Sequence, residues 1–280
     1  MIQNILPFAD QQTTGKTDEG RATLVKRLQV ATGVRGILCD VAGLLEWREL
    51  DYFAGTSIPA VQLLRFDADT FAASAFARVG ILRPPGIARS VQKRQADYFY
   101  GRLAARLALA NGHFKRADIG TGPNREPLWP NDVVGSITHS NGFAAATVAQ
   151  AARLGGIGID IEAAISASVA HSIERQIVSR RECEVLRLHP GLPYALAVTL
   201  VFSAKESFFK ALFGTVGNYF GFDAIALESI DLEENCMHFR TQTSLCPTWP
   251  AGRCATVHFR FLSHGEVPTG FCFTSKMAYA

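Results

Sequence analysis

GIGIDIE, residues 156–162, is the stretch from which the rest of the chain is read. In an extended strand successive side chains point to opposite faces, so Ile157, Ile159 and Ile161 line one face and Gly158, Asp160 and Glu162 the other. One face is suited to a core, and the other carries two carboxylates. These sit roughly 6–7 Å apart along the strand, and like charges that close are unfavourable unless something positive lies between them. A divalent cation is the simplest answer: magnesium takes oxygen ligands, commonly one or two carboxylates, with phosphates and water completing its octahedron. Gly158 on the same face removes a side chain where a ligand could approach. The alternative is a half-exposed edge strand with solvated acids.

A second stretch, FSAKESFFK at 202–210, weighs on that choice. Residues four apart share a helix face, so Phe202, Glu206 and Lys210 form one row with Lys205 beside it. Taken alone, Glu206 and Lys210 are an i,i+4 ion pair worth about 0.3–0.5 kcal/mol. The helix expected over 194–213, stopped at Gly214, is largely apolar and therefore buried. A buried acid and base need partners, and a metal–phosphate site supplies both.

GIGIDIE followed by FSAKESFFKAL at 202–212 resembles the 4'-phosphopantetheinyl transferases, especially the Sfp/EntD-like enzymes that serve carrier proteins of non-ribosomal peptide, siderophore, polyketide and fatty-acid synthesis. The resemblance implies an α+β fold of two similar halves related by a pseudo-twofold axis, divided as 1–150 and 151–280, in a monomeric chain. It implies transfer of 4'-phosphopantetheine from coenzyme A to a serine of an apo acyl or peptidyl carrier protein, leaving adenosine 3',5'-bisphosphate. Asp160, Glu162 and Glu206 would then hold magnesium, with Glu206 also the base. Lys210 would hold the phosphoryl oxygens, with Lys205 and His139 assisting.

The N-terminal half adds three shorter matches. KRQADYFYGRLAAR, 93–106, resembles the segment that holds the nucleotide end of coenzyme A and nominates Arg94 and Arg102. Read physically, Arg102 and Arg106 lie one turn apart and repel unless they share an anion; a solvated basic face is the alternative. SITHS, 136–140, resembles the motif whose histidine meets the phosphates, here His139, with Thr138 a weaker candidate. The loop GTGPNREPLWP, 120–130, presents Arg125 where the family commonly places a lysine before proline; Arg125-Glu126-Pro127 keeps the charge but shifts its place. That loop completes no dinucleotide fingerprint and no Walker lysine follows it.

Composition sets wider bounds. A chain of 280 residues, 48% hydrophobic and 19% charged, holds one large core or two smaller ones. A net charge of +3 without a basic, aromatic-studded stripe argues against nucleic acid as a partner. The six cysteines have no zinc-type spacing and read as reduced, mostly buried thiols. No basic-then-apolar leader and no membrane-length apolar run is present, so a cytoplasmic setting with no membrane partner is expected. Two other functions compete: another magnesium-dependent nucleotide phosphotransferase or hydrolase, and a non-catalytic adaptor that binds carrier proteins.

The element pattern is as follows. A short helix is expected at 22–30 and strands at 36–41 and 58–66, with a loop between them containing Trp47 and Asp51. After Pro84-Pro85-Gly86 one long helix runs to Ala110, capped by Asn111-Gly112, with Ile87, Val91, Tyr98, Leu103 and Leu107 as its apolar stripe. Strands at 133–138 and 143–149 flank an Asn141-Gly142 turn. A helix begins near Ser168, and Ser179 to Glu182 reads as a capping box opening another. Strands follow at 224–232, 237–243, 254–262 and 271–274.

Overall fold

Hairpins joined by short turns build two antiparallel sheets, each crossed by one long helix. The computed structural model describes residues 41–51, 59–114, 118–264 and 267–277. The expected helix at 22–30 lies outside the described residues, as does all but the last residue of the strand expected at 36–41.

The first sheet has the order β1-β2-β6-β5, with β1 at Leu44–Leu50, β2 at Val61–Phe66, β5 at Val133–Ser140 and β6 at Phe143–Gln150. Two-residue strands β3, Gly120–Thr121, and β4, Pro127–Leu128, form a separate small hairpin. β5 and β6 turn through Asn141 and Gly142, both at positive φ (46° and 77°), the geometry a two-residue hairpin requires. β1 corrects the loop expected around Trp47. LLEWREL lacks clean alternation because the strand is a sheet edge, and its order comes from pairing with β2, where Trp47 faces Leu64 and donates Nε1–H to Gln62.

Helices α1, Ser74–Val79, and α2, Pro85–Ala88, precede α3, Gln92–Asn111, so the single long helix expected after Pro84 is broken. Val91 is extended at the N-cap of α3 and 74% exposed, which removes it from the apolar stripe. The new start is held from outside: Gln92 Nε2 donates to the carbonyls of Ala68, Asp69 and Phe71. From there α3 buries Phe99, Tyr100, Leu103 and Leu107 among Phe66, Phe71 and Phe76.

The second sheet has the order β7-β11-β10-β9-β8, from β7 at Leu154–Ala163, β8 at Ile225–Asp231, β9 at Cys236–Thr241, β10 at Cys254–His264 and β11 at Val267–Met277. Its helices are α4, Ala167–Ile177, α5, Arg180–Arg187, and α6, Tyr194–Val216. The capping box at α5 forms as read, Ser179 and Glu182 bonding reciprocally. α6 passes Gly214 and stops at Gly217, whose φ of 72° makes the left-handed cap. A single interior glycine costs only about 1 kcal/mol, too little to end a buried helix. Among the described residues no helix is long and apolar enough to cross a membrane.

Two glycines of GIGIDIE set how closely α6 lies on β7. A Cβ on Gly156 would overlap the Ala211 carbonyl, and one on Gly158 would overlap the Ser207 carbonyl. The space expected for a ligand at Gly158 is filled by the helix backbone. On the opposite face Ile159 and Ile161 pack with Leu50, Val61, Leu63 and Ala145, a core shared by the two sheets.

β5 and β7 run in the same direction along this seam, stitched by alternate hydroxyls of β5. Ser136 Oγ accepts from Ile159 N at 3.0 Å and Thr138 Oγ1 accepts from Ile161 N at 3.3 Å. Ser140 Oγ donates to Glu162 at 3.1 Å.

Candidate active site

Asp160 lies at the middle of the seam, 3% exposed. Its Oδ1 accepts from Lys210 Nζ at 2.6 Å and from Thr138 Oγ1 at 3.0 Å, and its Oδ2 accepts from Ser203 Oγ at 2.8 Å. Lys210 is delivered by α6, and Nζ also lies 3.4 Å from the Ile159 carbonyl. The period-two strand and the helical row meet here, one supplying the acid and the other the base.

Two further carboxylates share this environment. Burial, reinforced by the charge of Asp160, pushes the Glu162 carboxyl up to about 7, against the pull of Ser140 and Lys210. Burial likewise raises Glu206, with Lys210 opposing and Asp160 adding to the rise. Three acids thus lean on one ammonium. That oxygen-only donor set with surplus negative charge suits a hard divalent cation. Among the described residues, however, no three such side chains are already gathered as a cage.

His139, at the end of β5, faces α3. Its Nε2 lies 3.2 Å from Arg94 Nη1. A guanidinium only donates, so this nitrogen accepts and the ring proton sits on Nδ1, 4.0 Å from Asp97 Oδ2. Burial lowers the His139 pKa; Asp97 opposes this, while Arg94 and Lys210 add to it. Arg94, Asp97, His139 and Arg125 line a pocket of about 440 Å³ between α3 and the loop at 120–130. A second pocket of about 420 Å³, walled by Trp129, Ile157, Phe209, Phe213 and Tyr219, adjoins it through Arg125 and carries Lys210 at its edge.

One expected site residue, Lys205, is turned elsewhere, and a second, Arg102, is engaged by the loop at 120–130 while it lines the first pocket. Lys205, 2% exposed, donates to Glu182 at 2.7 Å and to the Ile177 carbonyl at 2.8 Å, so it is not brought to the cluster. A position one residue from Glu206 is rotated about a hundred degrees around the helix, and the partner awaiting it there is an acid. Arg102 is also buried, donating to the Gly120 carbonyl at 3.0 Å and to Thr121 Oγ1 at 2.9 Å, and it borders the first pocket as a loop anchor. Nor does Arg106 share an anion with it: Arg106 pairs with Asp118 at 2.6 Å and caps the carbonyls of Val79 and Gly80.

The sequence reading missed Ser136, Ser140, Ser203 and Asp97. The first two carried a signal, because the hydroxyls of SITHS alternate at 136, 138 and 140 and so share one strand face. Asp97 stood three residues after Arg94, on the same helix face.

Fold and site together define an α+β protein with an acid–lysine cluster in the seam between two antiparallel sheets and a basic pocket beside it. Residues 83–149 match the family model of the 4'-phosphopantetheinyl transferase N-terminal domain, and residues 156–256 match that of the 4'-phosphopantetheinyl transferase superfamily. The chain belongs to this superfamily, in its Sfp/EntD-like branch. It is 36% identical over 147 residues to enterobactin synthase component D of Salmonella typhi, covering 52% of this chain and 60% of the relative. It is 38% identical over 138 residues to the 4'-phosphopantetheinyl transferase Npt of Nocardia iowensis, covering 49% and 60%. The chain thus spans about 60% of the length of these curated relatives. A solved holo-(acyl-carrier-protein) synthase of Bacillus anthracis, in complex with coenzyme A (3',5'-ADP), is 22% identical with a TM-score of 0.30, covering 45% of this chain and 99% of that one.

Proposed function

We propose that the protein transfers 4'-phosphopantetheine from coenzyme A to a serine hydroxyl of an apo acyl or peptidyl carrier protein. The observation that carries the reading is Lys210 on Asp160, with Glu162 and Glu206 nearby, Lys210 lining one of two pockets that meet at Arg125. One pocket is polar and cationic, lined by Arg94, Arg125 and His139, and the other is largely apolar. A molecule with a charged nucleotide at one end and a neutral arm at the other is divided by such a pair, with its phosphates near Lys210. In this reading the first 150 residues bind nucleotide, and residues 151–280 supply the chemistry in a monomer.

Magnesium fits the donors. Asp160, Glu162 and Glu206 would hold it, and when bound it supplies neutralisation of the pyrophosphate. The chain's own groups do the rest. Lys210 steadies the phosphoryl oxygens as charge moves to the departing phosphate. Glu206 takes the serine proton. Arg94 and Arg125 hold the nucleotide end. His139, with a proton on Nε2, donates to a phosphate in place of its contact with Arg94.

Intact-protein mass spectrometry of apo carrier domains incubated with coenzyme A, magnesium and the protein tests the reading. A gain of one phosphopantetheinyl group, lost on chelation or in Glu206→Ala, is the expected result. Turnover of nucleoside triphosphates instead would favour another phosphotransferase. Coenzyme A binding without transfer to any carrier would favour an adaptor.

A further inference from the structure

The loop that carries Arg125 is held from both halves of the chain. At its base, Arg102 from α3 donates to Gly120 and Thr121, and the Tyr98 hydroxyl lies 3.3 Å from Thr121 Oγ1. Its tip is a tight turn in which Arg125 N donates to the Gly122 carbonyl at 3.0 Å and Gly122 N to the Glu126 carbonyl at 2.9 Å. The turn sets Arg125 at φ 68°, a left-handed conformation that a residue with a Cβ adopts only when its surroundings impose it.

What reaches that tip comes from the other half. Tyr219, just beyond the cap of α6, donates its hydroxyl to the Asn124 carbonyl at 2.8 Å, across 95 residues of sequence. The ring is 66% exposed yet fixed in place, stacked on Phe209 at 5.4 Å and 21°, with Phe213 at 5.5 Å. Phe209 stands one residue before Lys210. The Asn124 carbonyl belongs to the peptide that enters Arg125, so this hydrogen bond fixes the plane from which the strained residue departs. Arg125 borders both pockets.

We propose that Tyr219 is a positioning residue for Arg125: a hydroxyl of the C-terminal half sets the conformation of a cation on the N-terminal half, so ligand is gripped only when the two halves are registered. This rests on the reading of Arg125 as a coenzyme A contact. Tyr219 touches neither Lys210 nor the carboxylates in any of its hydrogen bonds, so its effect falls on binding and spares the chemical step.

Tyr219→Phe removes the hydroxyl and keeps the stacked ring. Coenzyme A binding by calorimetry and steady-state kinetics are measured for the unaltered protein, Tyr219→Phe, Arg125→Ala and the double variant. One hydrogen bond corresponds to about three- to tenfold in affinity. The expected result is that rise in Kd and KM for coenzyme A, an unchanged kcat, and a double variant no weaker than Arg125→Ala. A silent Tyr219→Phe, a fall in kcat, or full additivity with Arg125→Ala overturns the proposal and leaves the proposed function standing. Absence of coenzyme A binding by the unaltered protein overturns both.

Discussion

Lys205 and Lys210 stand on the same helix, and each donates to a carboxylate at nearly the same distance, 2.7 Å to Glu182 and 2.6 Å to Asp160. Their surroundings differ in bookkeeping of charge and in access. Glu182 is saturated: it accepts from Lys205 and Leu227 N on one oxygen and from Ser179 N on the other, and Lys205 is completed by the Ile177 carbonyl. One cation meets one anion, sealed from water. At Lys210 a single cation faces Asp160 with Glu162 and Glu206 nearby, and it opens onto a pocket. A buried ion pair therefore says little by itself; surplus charge beside accessible space separates a site from a strut.

The sharpest way to break this contrast is at Glu206 and Lys210. Replacing either with alanine should lower the proposed transfer by about two to four orders of magnitude; Lys210→Ala, which strands the buried Asp160, should also lower the urea midpoint, whereas Glu206→Ala should leave it nearly unchanged. Lys205→Met should do the reverse. Stranding Glu182 in a buried position should cost about 3–5 kcal/mol in urea unfolding, with near-normal turnover per folded molecule. If Lys205→Met instead lost activity at unchanged stability, the strut reading would fall.

Glu162 offers a handle on the surplus charge. Its native carboxyl titrates at about 7 against an ordinary 4.5, so the stability contributed by the protonated form is complete below about 4.5 and is lost as pH rises through about 7. A divalent cation favours the ionised form. Magnesium should therefore raise the melting temperature more at about pH 8 than at about pH 5, and Glu162→Gln should remove most of that difference. A pH-independent gain in differential scanning fluorimetry would locate the cation elsewhere. The smallest effect is expected at the seam: Thr138→Val loses the bonds to Asp160 and Ile161 N and should cost about 1–2 kcal/mol of stability, measured by urea unfolding.

Much of this was readable from local pattern. The two faces of GIGIDIE, the Ser179–Glu182 capping box and the Asn141-Gly142 turn depend on residues within a few positions of one another, and each formed. What escaped the sequence depends on distant partners. Nothing near Lys205 announces Glu182, and nothing near Arg102 announces the carbonyl of Gly120. β1 was hidden because an edge strand owes its order to its neighbour, not to its own alternation. Gly158 was read for the right reason, close approach, with the wrong visitor: a helix backbone in place of a ligand.

Gly156 and Gly158 bring the backbone of α6 against that of β7 without intervening side chains. The span from the acids of the strand to Glu206 and Lys210 is consequently gauged main chain to main chain, by parts that have no rotamers to choose among. In an engineer's terms this is the datum surface of the molecule, from which all other tolerances accumulate. Libraries built to change what the pockets accept should hold these two glycines with Ser207 and Ala211 constant, and place their diversity on the pocket walls, where an error of an ångström stays local.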